Sequence, residues 1–101
     1  MFYIYILYSV SADKYYVGYS NNYQRRFIEH NTTERITYTS KHRPWVLKAV
    51  FECSTIESEA IRIERFIKKQ KSRKLIELLC DTNFIPSAAL CQLVRVPHVR
   101  D

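Results

Sequence analysis

The stretch KYYVGYSNNYQRRFIEHN, residues 14–31, holds four of the chain's eight tyrosines, its one glycine (Gly18), the neighbouring Arg25 and Arg26, and one of three histidines, His30. Its first part, KYYVGY (14–19), has the β-branched and aromatic content of a strand. Ser20 and Asn21 are both good N-caps, so a helix is expected from there to about His30. Tyr23, Phe27 and His30 then recur at i, i+4 and i+7. A strand that ends on a glycine and runs straight into a helix allows backbone or ligand to approach closely at the strand end, because Gly18 has no Cβ.

Working outward, FYIYILYS (2–9) reads as a strand, and the polar SADK that follows suits a hairpin connection. Residues 31–44 are polar, end at Pro44 and read mostly as loop. WVLKAVFE (45–52) is a third strand. Thr55 is expected to cap a long helix over about 55–71, and SRKLIELL (72–79) forms a further helix, separate or continuous with it. The order ββαβαα, with its first two strands in a hairpin, predicts an α+β domain: a small three-stranded sheet, antiparallel or mixed, packed against helices. Residues 80–101 form a tail. Pro86 could start a short helix there, with Leu90 and Leu93 on one face. The tail could dock on the domain, support a homodimer or stay mobile; His98 reads as a surface histidine.

The chain has 101 residues, 47% of them hydrophobic, enough for one domain with a real core. No apolar run is long enough to span a membrane. MFYIYILYSV lacks the basic start and small-residue cleavage site of a signal peptide and reads as a strand. Cys53, Cys80 and Cys91 are odd in number and have no C-x-x-C spacing. Reduced thiols in a cytoplasmic protein fit better than a disulfide frame or a zinc site.

The net charge is +6, and residues 62–74 (RIERFIKKQKSRK) carry seven basic residues and one acidic residue. A polyanion is the natural partner of such a run, since phosphate contacts release counterions. A solvated helix face explains the charge equally well. The candidate nucleic-acid contacts are Arg25, Lys41, Arg43, Lys68, Lys69, Lys71, Arg73 and Lys74.

Arg26 and His30 are four residues apart and share one side of the predicted helix, at the rim of its buried face. In the second helix Ile56, Ala60, Ile63 and Ile67 form an apolar stripe. Glu64 sits beside it, one turn before Lys68. That carboxylate is either a partner for Lys68 or a ligand for a divalent cation facing a phosphate. The tyrosines depend on hairpin register. If residue 9 pairs with 15, Tyr5 and Tyr16 point to opposite faces. If 10 pairs with 15, around a turn of residues 11–14, they point the same way.

These residues, in this order, resemble the GIY-YIG nuclease family, in particular its small stand-alone members. YIY (Tyr3, Ile4, Tyr5) matches the first motif, with Tyr3 where the family has a leading glycine. YVG (Tyr16, Val17, Gly18) matches the second. Arg26 and His30, then YTSKHRPWVL (38–47), and Glu64 within SEAIRIERFIKKQKSRKLIELL (58–79) continue the match, which covers about residues 2–79. The resemblance implies a small three-stranded antiparallel sheet flanked by helices and metal-dependent cleavage of DNA phosphodiesters. It implies Glu64 as ligand for one Mg²⁺ or Mn²⁺, Arg26 as holder of the scissile phosphate, and Tyr5 or Tyr16 as activator of the attacking water. His30 would orient a tyrosine or help as base. Repair or recombination of DNA is the implied setting, with a flap, junction, lesion or plain duplex as substrate and specificity open to a partner protein. A reading from another class is a non-catalytic nucleic-acid-binding module that uses the 62–74 basic helix and surface tyrosines. A third is a domain whose basic helix contacts a protein.

Overall fold

The computed structural model describes residues 1–34 and 37–97; His98 lies outside the described residues. The elements are β1 (Phe2–Ser9), β2 (Lys14–Ser20), α1 (Tyr23–Thr32), a 3-10 turn (Thr39–His42), β3 (Trp45–Ser54), α2 (Glu57–Lys69), α3 (Arg73–Cys80), a second 3-10 turn (Ala88–Leu90) and β4 (Val94–Arg95). The fold is α+β, an antiparallel sheet flanked by three helices, in the order β2-β1-β3-β4. The fourth strand is the one addition to the expected sheet. Val94 and Arg95 pair with Glu52 and Phe51, a ladder too short to leave a periodic signal in the sequence.

Alternation along β1 sorts the core into two layers. Ile4 and Ile6 face a cluster built with Val17, Phe51, Ala60, Ile63, Ile67 and Leu79, which seats α2 and α3. Tyr5 and Leu7 face the other way, into a cluster with Val50 and Trp45, against which Tyr16, Tyr23 and Phe27 pack. The central strand is thus buried on both faces. The second layer requires a break in the pairing of β1 with β3. Ile6 pairs with Ala49 but Leu7 with Leu47, so one residue of β3 bulges out. Trp45 and Leu47 thereby join Val50 on the α1 face instead of alternating away from it.

The hairpin register matches neither expected pairing. Ser9 pairs with Lys14 around a turn of residues 10–13, and Leu7 pairs with Tyr16. This shifts the second expected register by two positions in sum, and a shift of two preserves sidedness. Tyr5, Tyr16 and Gly18 therefore share one face, with Tyr5 directly opposite Gly18.

Helix boundaries differ from expectation for local reasons. β2 runs through Ser20, whose Oγ accepts from Asn22 N at 2.9 Å, and the N-cap is Asn22, accepting from Arg25 N at 3.1 Å. Thr55 caps nothing. α2 starts at Glu57 without a side-chain cap, and Glu57 and Glu59 in its first turn complement the helix dipole instead. α2 and α3 are separate: Lys71 adopts a left-handed conformation (φ 50°), and Ser72 caps α3 by accepting from Leu75 N. Among the described residues of the tail beyond α3, the helical structure is the 3-10 turn at Ala88, two residues past Pro86. Leu90 and Leu93 are buried in the same core as the sheet, and Val96 N donates to Val50 O.

Candidate active site

β2 is the edge strand beside β1, so α1 on one face and α2 on the other both reach the end of β2 at Gly18. There a cleft of about 470 Å³ is lined by Tyr5, Tyr16, Gly18, Arg26, Glu57 and Glu64 among its walls. Four of the five residues expected to carry chemistry meet in this one concavity. The fifth, His30, is not at the rim of α1 as expected but buried behind the cleft, at 4% exposure.

His30 is held at both ring nitrogens. Nε2 lies 2.9 Å from Tyr5 Oη and Nδ1 lies 2.9 Å from Thr39 Oγ1. Thr39 is itself buried and fixed, because its carbonyl accepts from Trp45 Nε1 at 2.7 Å. Burial first, and the Arg26 cation second, push the His30 pKa down to about 4. The imidazole is therefore neutral at ordinary pH, able to give one hydrogen bond and take one. Burial also raises the Tyr5 pKa, with neighbouring Tyr16 adding to the rise and Arg26 opposing it.

The unfolded chain protonates His30 near 6.5, the folded one only near 4. Between those values the unfolded state binds the extra proton, so stability rises with pH there and is lost as pH falls from 6.5 towards 4. The unfolding free energy from chemical denaturation should drop across this window by at most about 1.4 kcal/mol per pH unit. His30→Gln should be less stable at neutral pH and should flatten the slope. An unchanged slope in that variant would assign it to another group.

Arg26 is half-exposed, with Nη1 2.6 Å from Glu29 Oε1. The guanidinium also interacts with the Tyr5 hydroxyl, and it lines the cleft with that ring. Glu64, 15% exposed at its side chain, pairs with Lys68 Nζ at 3.2 Å, and the same Nζ sits 5.2 Å from the centroid of the Tyr16 ring. Glu57 also lines the cleft and accepts from Tyr19 Oη at 3.3 Å. Among the described residues no group of three or more His, Cys, Asp or Glu side chains could hold a metal by itself. A cleft with the carboxylates of Glu64 and Glu57 beside the Arg26 guanidinium does not suit zinc, which wants three or four protein ligands. It does suit Mg²⁺, which keeps several waters and is held by one or two carboxylates plus phosphate oxygens.

The model of the GIY-YIG catalytic domain matches residues 1–76. This chain belongs to the GIY-YIG family. It is similar to a UPF0213 protein of Limosilactobacillus reuteri, 32% identical over 81 residues, covering 79% of this chain and 83% of the relative. A UPF0213 protein of Halobacterium salinarum is 38% identical over 79 residues, covering 78% and 99%. One from Haloquadratum walsbyi is 36% identical over 84 residues, covering 80% and 92%. These relatives are small GIY-YIG members whose length this chain largely spans.

The basic residues separate into two groups. Arg25, Lys41, Lys68, Lys69, Lys71 and Lys74 are exposed, with Lys68 paired to Glu64 of the cleft. Arg43 and Arg73 serve the fold. Arg43 donates to the carbonyls of His30 and Thr33 and ties the end of α1 to the loop before β3. Arg73 donates to Asp13 Oδ1 at 2.6 Å and Asp13 O at 2.9 Å, fastening α3 to the hairpin turn. Sequence reasoning missed Glu57, Glu29 and Thr39. The first two are spaced as ordinary helix-surface acids, and Thr39 sits in a polar loop, so none carries a signal of its own.

Proposed function

We propose that this protein is a divalent-metal-dependent DNA endonuclease that hydrolyses phosphodiester bonds. The observation that carries this reading is the shared cleft of Tyr5, Tyr16, Arg26 and Glu64 at the only glycine of the chain. Family membership supports it independently.

In this reading Arg26 donates two hydrogen bonds to oxygens of the scissile phosphate, a geometry lysine does not reproduce. Glu64 exchanges Lys68 for the metal. When bound, the ion supplies neutralisation of the phosphate and of the leaving oxygen. Tyr16 is favoured over Tyr5 as the residue that orients the attacking water; acting as base, it would first release its own phenolic proton to solvent and then take the proton of the water as phenolate. Tyr5 is 1% exposed, its pKa is raised by burial, and its hydroxyl is engaged by His30. Tyr5 and His30 then act as a rigid wall that holds the phosphate against Arg26.

A supercoiled-plasmid nicking assay tests the reading. Cleavage should appear with Mg²⁺ or Mn²⁺, stop on chelation, and return when the metal is restored. If the protein binds DNA yet never cleaves it with any divalent ion, the enzyme reading fails and the binding-module reading stands.

A further inference from the structure

Tyr16 is shared by a second groove, of about 590 Å³, that runs from the cleft between β2 and the junction of α2 with α3. Its floor is aliphatic, from Val17, Ile67 and Ile76. Its walls carry Tyr15, Tyr16 and Tyr38, and each ring has a cation across it. Lys14 Nζ lies 5.9 Å from the Tyr38 centroid, Lys68 Nζ 5.2 Å from that of Tyr16, and Arg73 Cζ 5.2 Å from that of Tyr15. The Tyr16 and Tyr38 planes are within 28° of parallel. Lys14 is exposed, and Tyr38 is 48% exposed. Two of the three non-glycine residues with left-handed backbone among the described residues, Asp13 and Lys71, also line this groove. Such conformations persist where the surroundings enforce them and cluster at binding sites.

Flat aromatic faces alternating with cations on an apolar floor match the alternation of bases and phosphates along a nucleic-acid strand. A base inside a duplex has both faces covered by its neighbours and cannot lie on a tyrosine; an unpaired one can. We propose that this groove binds an unpaired nucleotide of the DNA strand whose phosphate lies in the cleft, its base on Tyr38 and its phosphate near Lys14 and Lys71. The location relative to the scissile phosphate rests on the nuclease reading; the binding itself does not.

The test is fluorescence anisotropy in chelator, with a labelled oligothymidylate and a duplex of equal length as probes. Wild-type protein should bind the single strand the more tightly. Tyr38→Ala and Lys14→Ala, both at exposed positions, should each weaken single-strand binding about tenfold while changing duplex binding less than about twofold. Tyr38→Phe should bind as wild type does. Equal affinity for the two probes, or variants that leave single-strand binding unchanged, would overturn the proposal. A protein that nicks plasmid but shows no groove effect loses this inference alone. One that shows the groove effect but never cleaves loses the nuclease reading alone.

Discussion

Gly18→Ala should lower the thermal midpoint sharply and abolish cleavage. A Cβ at Gly18 would sit 2.4 Å from both Cζ and Oη of Tyr5 and 2.9 Å from Cε2. The ring cannot swing clear. Tyr5 is fully buried, packed with Leu7 and Val50, and its hydroxyl lies against His30. Overpacking of this kind costs about 1–3 kcal/mol. Alanine recovers only part of that through its better strand conformational entropy, about 0.5–1 kcal/mol. For a domain of this size each kcal/mol shifts the midpoint by about 4–8 °C. The backbone is not the reason for glycine here, because Gly18 does not adopt a positive φ. The clash is with one side chain, so a double mutant isolates it. Gly18→Ala combined with Tyr5→Leu should regain stability over Gly18→Ala alone without regaining cleavage. A Gly18→Ala protein as stable and active as wild type would mean that Tyr5 has room the packing does not show.

Gly18 also marks how far the sequence can be read. The strand–glycine–helix stretch at residues 14–31 contains the edge strand, the close approach and the α1 residue, Arg26, that lines the cleft, so the place of the candidate site on the sheet was legible from it. Which tyrosines share that face was not. It depends on whether the hairpin turn takes residues 10–13 or another set, and Asp13 settles this through its left-handed backbone and its bonds to Arg73 on α3. That anchor lies 60 residues away in the chain and has no local signal. The bulge in β3 is invisible for a related reason. Strict alternation would place Trp45 and Val50 on opposite faces, and only pairing with β1 brings both against α1. His30 at the end of α1 could be capped and solvated or buried. Thr39 and Trp45, from the loop and the following strand, close over it and decide for burial. Local propensity thus located the elements, while contacts between distant segments set which side chains meet.

Among substitutions that leave the fold intact, Arg26→Lys and Glu64→Gln should have the largest effects on cleavage. In the proposed reading the Arg26 guanidinium meets charge that develops on the phosphate oxygens. Loss of one positioned donor of that kind lowers the rate about 10²–10³-fold. Lysine keeps the charge but offers a point cation in place of the two-pronged donor. Arg26→Lys should therefore fall nearly as far as Arg26→Ala, whereas a purely electrostatic role would let lysine recover most of the rate. Both changes should spare stability, since the Arg26–Glu29 pair is half-exposed and such pairs contribute roughly 0–1 kcal/mol. Glu64→Gln removes the carboxylate and frees Lys68 while keeping the shape. It should reduce cleavage at all metal concentrations, weaken Mn²⁺ binding measured by calorimetry, and leave DNA affinity in chelator within about twofold of wild type. The combination discriminates between roles. If Glu64 serves only to hold Lys68 over Tyr16, then Lys68→Met should reproduce the Glu64→Gln defect and Mn²⁺ affinity should not change. If Glu64 is the metal ligand, Lys68→Met removes its competitor, and Mn²⁺ should bind at least as tightly as it does to the wild-type protein.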